Sequence, residues 1–272
     1  MKEQEINEFR NNAREIRREL LNMVYRTKSA HIGSSLSIVE ILVALYFKCL
    51  RISPNEPEDK NRDRFILSKG HGCPALYTTL ARRGFFSSDV LRGFAVDGGT
   101  LEQHPTRNIG CGIEVSTGSL GHGLSIGAGM AIAAKYDRAN YRIFVLLSDG
   151  ELDEGSVWEA AMFASHHRLD NLIAIVDYNK IQALGRTNEV VNLEPLASKW
   201  HSFGWEAKEI DGHNFEQIIN AFEMIPLKPP KPSVIIAHTV KGKGISFMED
   251  RLLWHYRYPD DEEYAKALKE LS

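Results

Sequence analysis

The sequence predicts an α/β protein with a single doubly wound, mostly parallel sheet and helices on both faces. First, short apolar runs of strand length alternate with longer segments of helical periodicity along the chain. Second, residues 143–176 have the pattern of strand, helix and strand, and two strands joined in this way normally pair in parallel. Third, a length of 272 residues suits one α/β domain or two small ones, and no internal repeat is present. Because strands and helices alternate throughout, we expect a single domain over residues 1–272.

The helices at the two ends of the chain are predicted from periodicity. Apolar residues recur at helical spacing over residues 4–28, which predicts a long amphipathic helix there, and a final helix is predicted over residues 260–271. Ser37 and Glu40 have the spacing of a capping box, and they predict a second helix that runs to about Leu50.

The segments between these helices contain the predicted strands. The strands are short apolar runs at residues 64–67, 143–147, 172–176, 205–210 and 233–238. Further helices are predicted to end near residues 83 and 167, and to cover residues 124–135, 194–203 and 215–225. Residues 84–118 are predicted to be mostly loop, with one short helix near 88–94, because glycine is frequent and periodicity is weak.

Composition and charge exclude several classes of function. The formal net charge is −3 and no basic run is present, so we expect no nucleic-acid partner. The longest apolar stretch, residues 38–47, contains Glu40 and is too short to span a bilayer, and the N-terminus lacks the apolar segment of a signal peptide. Three cysteines without metal-binding spacing suit a reducing compartment. These features predict a cytoplasmic protein.

Two polar clusters follow neighbouring strands of the predicted sheet, where ligands bind in open α/β sheets. Asp149 and Gly150 follow the first strand of the strand–helix–strand unit, and Asp177 and Asn179 end the second. Asp149 and Asn179 offer hard oxygen donors to Mg²⁺, with Ca²⁺ or Mn²⁺ as substitutes, and Gly150 lets an anion approach the backbone. Because Mg²⁺ is usually shared with phosphate oxygens, a bound diphosphate is the natural complement.

The thirty-residue spacing from Asp149 to Asn179 resembles the thiamine-diphosphate motif of transketolases and related enzymes. The family motif usually begins with Gly, whereas Ser148 stands first here. Four histidines in small-residue loops extend the resemblance: His31, His71, His104 and His255. With the segment Glu114–Gly123, they make residues 10–260 similar to the N-terminal, diphosphate-binding part of transketolase, which has a thiamine-diphosphate-binding fold.

The resemblance implies roles for individual residues. It implies cofactor contacts by His71, Gly118, Ser119, Leu120, Gly150, Glu151, Asn179 and His255. It implies metal ligation by Asp149, Asn179 and the backbone carbonyl of Ile181, and contact with the reacting ketose by His31, His104 and His255. His122 stands where many transketolases have Gln, and its role stays open, as do those of Lys241 and Lys243. No site role is expected for His166, His167, His201, His213 and His238.

The same resemblance implies a split transketolase, because family members carry a catalytic Glu on a second, pyrimidine-binding domain that this chain lacks. A C-terminal subunit would supply it, most simply in an α₂β₂ assembly, for ketol transfer between sugar phosphates. Three alternatives stay open: one half of another thiamine-dependent enzyme, an enzyme for a sulfonated or branched sugar, and a non-catalytic regulatory protein that binds thiamine diphosphate. A nucleotide-binding protein is disfavoured because neither a dinucleotide fingerprint nor a P-loop is present.

Overall fold

The computed structural model describes residues 3–272, and a five-stranded parallel sheet forms its centre. The strands are β1 (Arg64–Leu67), β2 (Ile143–Ser148), β3 (Leu172–Tyr178), β6 (Glu206–Asp211) and β7 (Ser233–His238), in the spatial order β1-β2-β3-β7-β6. All four neighbouring pairs in this sheet are parallel. The five predicted strands are therefore confirmed, each within two residues at either end.

Helices cover both faces of the sheet. They are α1 (Glu3–Thr27), α2 (Ile32–Leu36), α3 (Val39–Ala44), α4 (Cys73–Arg83), α5 (His122–Tyr136), α6 (Gly155–His166), α7 (Thr187–Val190), α8 (Leu196–Ser202), α9 (Phe215–Glu223) and α10 (Asp261–Glu270). Helices α1, α3, α4 and α9 pack on the face that carries Phe144 and Ile173, whereas α5, α6 and α8 pack on the face that carries Val145 and Ala174. A parallel sheet buried on both faces explains why β2 and β3 are almost continuously apolar.

The predicted helix from Ser37 to Leu50 is wrong in detail. The segment divides into α2, α3 and a π-helical turn over Leu45–Cys49. Ser37 and Glu40 do not form a capping box, because distant partners take both side chains. The Ser37 hydroxyl donates to Oδ2 of Asp177 at 2.7 Å, and Glu40 forms a 2.7 Å salt bridge with Arg17. Tertiary contacts have replaced the local ones.

Two short elements, after β3 and before α10, lie outside the main sheet. A short antiparallel hairpin of β4 (Ile181–Gln182) and β5 (Gly185–Arg186) follows β3, and the sequence did not predict it. A single turn over Leu252–His255 presents His255 ahead of α10, whose N-cap Asp260 forms a capping box with Glu263. Within residues 3–272, every helix falls short of the length and apolar character that crossing a membrane requires.

Candidate functional site

The two predicted polar clusters meet at the carboxyl edge of the sheet. Ser148 of β2 lies opposite Asp177 of β3, so the residues that follow the two strands become neighbours. The backbone N–H of Lys180 donates to Oδ2 of Asp149 at 2.5 Å, which ties the end of one strand to the other. Lys180 has a left-handed backbone, with φ of 67°, a conformation that non-glycine residues adopt at some cost in free energy.

A cavity of 230 Å³ opens at this edge. It is lined by His31, Ser34, Lys69, His71, His104, Gly118, Leu120, Ser148, Asp149, Gly150, Asn179, Ile181, Gln182, Ala183, Lys241 and His255. Every predicted site residue is in this set except Ser119 and Glu151. Ser119 is exposed, and the buried Glu151 carboxylate accepts from the Ser68 hydroxyl and from the backbone of Gly121 at 2.9 Å. Glu151 therefore joins the loops around the cavity and does not face it.

Three imidazole rings cluster inside the cavity. The ring centroid of His31 lies 5.3 Å from that of His71 and 5.0 Å from that of His255. Burial, reinforced by neighbouring cationic groups, lowers the pKa of His31 to about 4 and that of His255 to about 3. The pKa of His71 is also well below its ordinary value, for the same reason. At neutral pH each ring is therefore uncharged and can donate one hydrogen bond and accept another.

Within the residues that the structure describes, the Asp149 carboxylate is buried and forms no salt bridge, although the charge of Lys241 lies nearby. The carboxylate is 1% exposed and accepts hydrogen bonds from the backbone of Gly150 at 2.8 Å and of Lys180. In the described chain, residues 3–272, no Lys, Arg or His side chain forms a salt bridge with it. Burial and the nearby charge of Asp177 raise the pKa of Asp149 to about 6. A buried carboxylate without a salt-bridge partner is stabilised when a cation binds to it.

Asp177 and Lys69 form a buried ion pair beside the cavity, and sequence analysis gave them no role. Their charged atoms are 2.5 Å apart and both side chains are fully buried. Oδ2 of Asp177 also accepts from Nδ2 of Asn179 at 3.0 Å. This bond fixes the Asn179 amide, so that its Oδ1 is the atom left to act as a ligand, although it already accepts from the backbone of Ile181 at 3.1 Å. The sequence feature that could have indicated a role for Lys69 is its position in a glycine-rich loop beside His71.

Lys241 also faces the cavity, whereas Lys243 does not. Lys241 is 1% exposed, and its Nζ donates to the Ile181 carbonyl at 2.9 Å and lies 3.0 Å from Nδ1 of His255. Burial and the charge of Lys69 lower the pKa of Lys241 to about 8. Lys243 pairs instead with Glu249 at 3.3 Å. Of the two lysines left open by the sequence, Lys241 is therefore positioned to meet an anion.

The three oxygen donors at the cavity suit a hard cation whose other ligands are oxygens from outside the protein. Asp149, Asn179 and the Ile181 carbonyl offer three oxygen donors. Residues 3–272 contain no group of three or more His, Cys, Asp or Glu side chains able to hold a metal. A Cβ at Gly150 would lie 2.8 Å from Cβ of Gln182, so only glycine keeps this approach to the backbone open. Phosphate oxygens and water would therefore complete the coordination.

The remaining histidines lie outside the cavity lining. His122 is exposed, with Nδ1 3.2 Å from the Leu120 carbonyl, at the start of α5. The five histidines that were expected to have no site role are also absent from the lining: His166, His167, His201, His213 and His238. His213, however, is partly buried and belongs to a hydrogen-bonded network with Glu40 and the backbone of Val240.

Comparison with known proteins identifies the family. The model of the transketolase thiamine diphosphate binding domain matches residues 9–269. The chain belongs to the transketolase family. Thiamine diphosphate is thus the cofactor of this domain, and the cavity at the carboxyl edge of the sheet has donors suited to its diphosphate and to a metal.

Several relatives of this transketolase domain have nearly the same length. The chain is 47% identical to one of the subunits of apulose-4-phosphate transketolase from Phocaeicola vulgatus, over 94% of this chain and 91% of the relative. It is 45% identical to 6-deoxy-6-sulfo-D-fructose transketolase subunit SqwG of a Clostridium species, over 100% and 98%. The solved transketolase of Campylobacter jejuni has a TM-score of 0.91 and 31% identity, and the match covers 100% of this chain but 43% of that one.

Proposed function

We propose that this chain is the thiamine-diphosphate-binding subunit of a two-chain transketolase. The reaction would be reversible transfer of a two-carbon ketol unit from a ketose phosphate to an aldose phosphate. The observation that carries the proposal is that ten of the twelve residues expected in such a site line one cavity. Relatives named as transketolase subunits, matched over 91% and 98% of their lengths, support the division between two chains. Residues 1–272 would then act as one domain.

We further propose how the site holds its cofactor. Asp149, Asn179 and the Ile181 carbonyl would bind Mg²⁺, which keeps water and phosphate oxygens among its ligands. His71, the Gly150 backbone and Lys241 would contact the diphosphate. When bound, thiamine diphosphate supplies the nucleophilic carbon of its thiazolium ring. Gly118 and Leu120 would contact the cofactor as well. Glu151 would hold the neighbouring loops together through Ser68 and Gly121. Ser119 is exposed and outside the cavity lining.

The histidines would handle the substrate. His31 and His255 are neutral at physiological pH, so each can donate a hydrogen bond to a hydroxyl or developing alkoxide without a charged ring in the cavity. His104 is exposed at the rim of the same cavity, where an entering ketose would meet it first. A neutral imidazole can also move a proton between two substrate oxygens, since one ring nitrogen accepts while the other donates.

A second chain would complete the site. It would supply the pyrimidine pocket and the acidic side chain that the family places there, and two copies of each chain would give an α₂β₂ assembly in the cytoplasm. A modified sugar is the second candidate substrate. The names of the two relatives favour it, because one is described as a transketolase for apulose 4-phosphate and the other for 6-deoxy-6-sulfo-D-fructose.

The decisive experiment measures ketol transfer from xylulose 5-phosphate to ribose 5-phosphate with Mg²⁺ and thiamine diphosphate. The chain is assayed alone and with a candidate C-terminal subunit, and the donor is then replaced by 6-deoxy-6-sulfofructose or apulose 4-phosphate. We expect activity only in the mixture. Robust activity of the chain alone would contradict the split enzyme, and a mixture that binds no thiamine diphosphate would contradict the assignment of the site. Binding without transfer of any donor would favour a regulatory protein.

A further inference from the structure

The loop that carries Lys241 is held by a polar network of two buried residues and the partly buried His213, none of which lines the cavity. The loop, residues 239–244, follows β7 directly. On the side away from the cavity, the Glu40 carboxylate lies between Arg17 and His213, with contacts of 2.7 Å to NH1 of Arg17 and 3.0 Å to Nδ1 of His213. The other ring nitrogen of His213, Nε2, accepts from the backbone N–H of Val240 at 2.9 Å. Arg17, Glu40 and His213 form what we term the rear network.

The rear network fixes one tautomer of His213. Burial opposes ionisation of Glu40, but the charge of Arg17 and the hydrogen bond from His213 outweigh it and lower the pKa of Glu40 to about 2. The carboxylate can therefore only accept, so Nδ1 of His213 carries the proton. Nε2 must then be the unprotonated nitrogen, which is what its bond from Val240 requires. Both neighbours select the same neutral form of the ring.

The network contacts the loop on both sides of Lys241. His213 binds the residue before it, Val240, and Nε of Arg17 donates to the carbonyl of Lys243 at 2.9 Å. The backbone N–H of Gly242 donates to the carbonyl of Gly33 at 2.9 Å. A lysine side chain is a flexible four-carbon stem and does not fix its own direction. The direction of Lys241 into the cavity therefore depends on how its backbone is held.

We propose that His213 is a positioning residue, which anchors Val240 and thereby directs the Lys241 ammonium group against the Ile181 carbonyl and His255. This inference rests on the proposed function in one respect, namely that Lys241 faces the cofactor diphosphate. The orientation itself follows from the contacts of the chain. His213 touches neither the cavity nor any predicted metal ligand, so its effect on the site passes through the loop.

The first test uses the unaltered chain. Nitrogen chemical shifts of the histidine rings, measured by NMR at neutral pH, distinguish the two neutral tautomers. We expect His213 to be protonated at Nδ1 and unprotonated at Nε2. A ring protonated at Nε2 could not accept from Val240 and would overturn the proposal.

The second test follows the exposure of Lys241 itself. The full chain is treated with acetic anhydride at about pH 8. Acetylation of Lys241 is followed by mass spectrometry in the parent chain, His213→Leu, His213→Gln and His238→Leu. His238 is the matched control, because it also pairs with a glutamate, Glu209, at 2.7 Å, but that pair is exposed and does not hold the loop. We expect acetylation about tenfold faster in His213→Leu, since loss of the hydrogen-bond acceptor for the Val240 backbone favours local opening of the loop.

The Gln variant and the control make the result specific. Gln offers one donor and one acceptor and should restore most of the protection, whereas His238→Leu should stay within about twofold of the parent chain. A folded His213→Leu chain with unchanged acetylation would overturn the proposal. Calorimetric affinity for thiamine diphosphate with Mg²⁺, in the presence of the partner subunit, should fall about tenfold in His213→Leu. If the parent complex binds no thiamine diphosphate, the proposed function is wrong. The NMR measurement of the His213 tautomer and the acetylation of Lys241 then still test the role of His213.

Discussion

Two buried aspartates end neighbouring strands of the sheet, and their surroundings are opposite. Asp149 follows β2 and is 1% exposed, while Asp177 lies in β3 and is fully buried. Asp177 has Lys69 at 2.5 Å and also accepts from Ser37, Asn179 and the hydroxyl of Thr239. Asp149 has two backbone N–H donors and no salt-bridge partner in residues 3–272.

The pKa values of the two carboxyl groups move in opposite directions as a result. Burial opposes ionisation of both, but Lys69 and the surrounding donors hold the pKa of Asp177 below its ordinary value. Nothing comparable offsets burial at Asp149, whose pKa rises to about 6. The fold neutralises Asp177 with its own lysine, Lys69, and leaves Asp149 without a salt-bridge partner in residues 3–272. One aspartate thus supports the site, and the other is expected to bind a ligand there.

The largest expected effect comes from Asp149→Asn. The amide keeps the shape of the side chain but removes the negative charge, so metal and cofactor binding should be lost. We expect ketol transfer by the two-chain enzyme to fall by more than about a thousandfold, since losing a group that only orients a metal ligand already costs about 10–100-fold. Circular dichroism should show an intact fold. Full activity in this variant would mean that Asp149 is not a metal ligand.

The matched change, Asp177→Asn, should act on stability first. It leaves Lys69 charged and buried without a counter-ion, which costs about 3–4 kcal/mol in free energy of unfolding. Urea unfolding of the metal-free chain measures this loss. An unchanged unfolding midpoint would show that Lys69 finds another partner, and the contrast between the two aspartates would then disappear.

A double variant sharpens the interpretation of Asp177. Adding Lys69→Met to Asp177→Asn removes the stranded charge and replaces the ion pair with neutral groups. We expect it to recover about 2 kcal/mol relative to Asp177→Asn alone, because buried ion pairs often contribute little net stability. The same urea series gives the answer, and additive losses would indicate that the two side chains act independently.

The smallest expected effect is a pH dependence at Asp149 in the metal-free chain. Between the ordinary pKa of 3.8 and the folded value of about 6, the folded state holds a proton that the unfolded chain has released. The free energy of unfolding therefore falls as pH rises through this range, and Asp149→Asn should lack that fall. The variant should gain about 2 kcal/mol over the parent chain between about pH 4 and pH 7. Parallel curves for the two proteins would contradict the raised pKa.

Much of the fold could be predicted because it depends on local patterns. Apolar runs located all five strands of the parallel sheet, and the crossover rule placed Asp149 and Asn179 at one edge. The error at Ser37 and Glu40 shows the limit. Their spacing matched a capping box, but the partners that took them, Asp177 and Arg17, lie 140 and 23 residues away. The spacing of residues along the chain cannot identify such distant partners.

The sequence by itself determined the positions of the five strands of the parallel sheet, the edge at which the predicted site residues meet and the residue types of their oxygen and imidazole donors. These follow from periodicity and from the geometry of parallel strands, which act over short distances along the chain. Only the tertiary structure decided which charges are neutralised internally. Lys69 reaches Asp177 across 108 residues, and Lys241 reaches the Ile181 carbonyl across 60. Such contacts form because packing brings distant segments together. Packing therefore decides that Asp177 has an internal counter-ion, whereas Asp149 forms no salt bridge within residues 3–272.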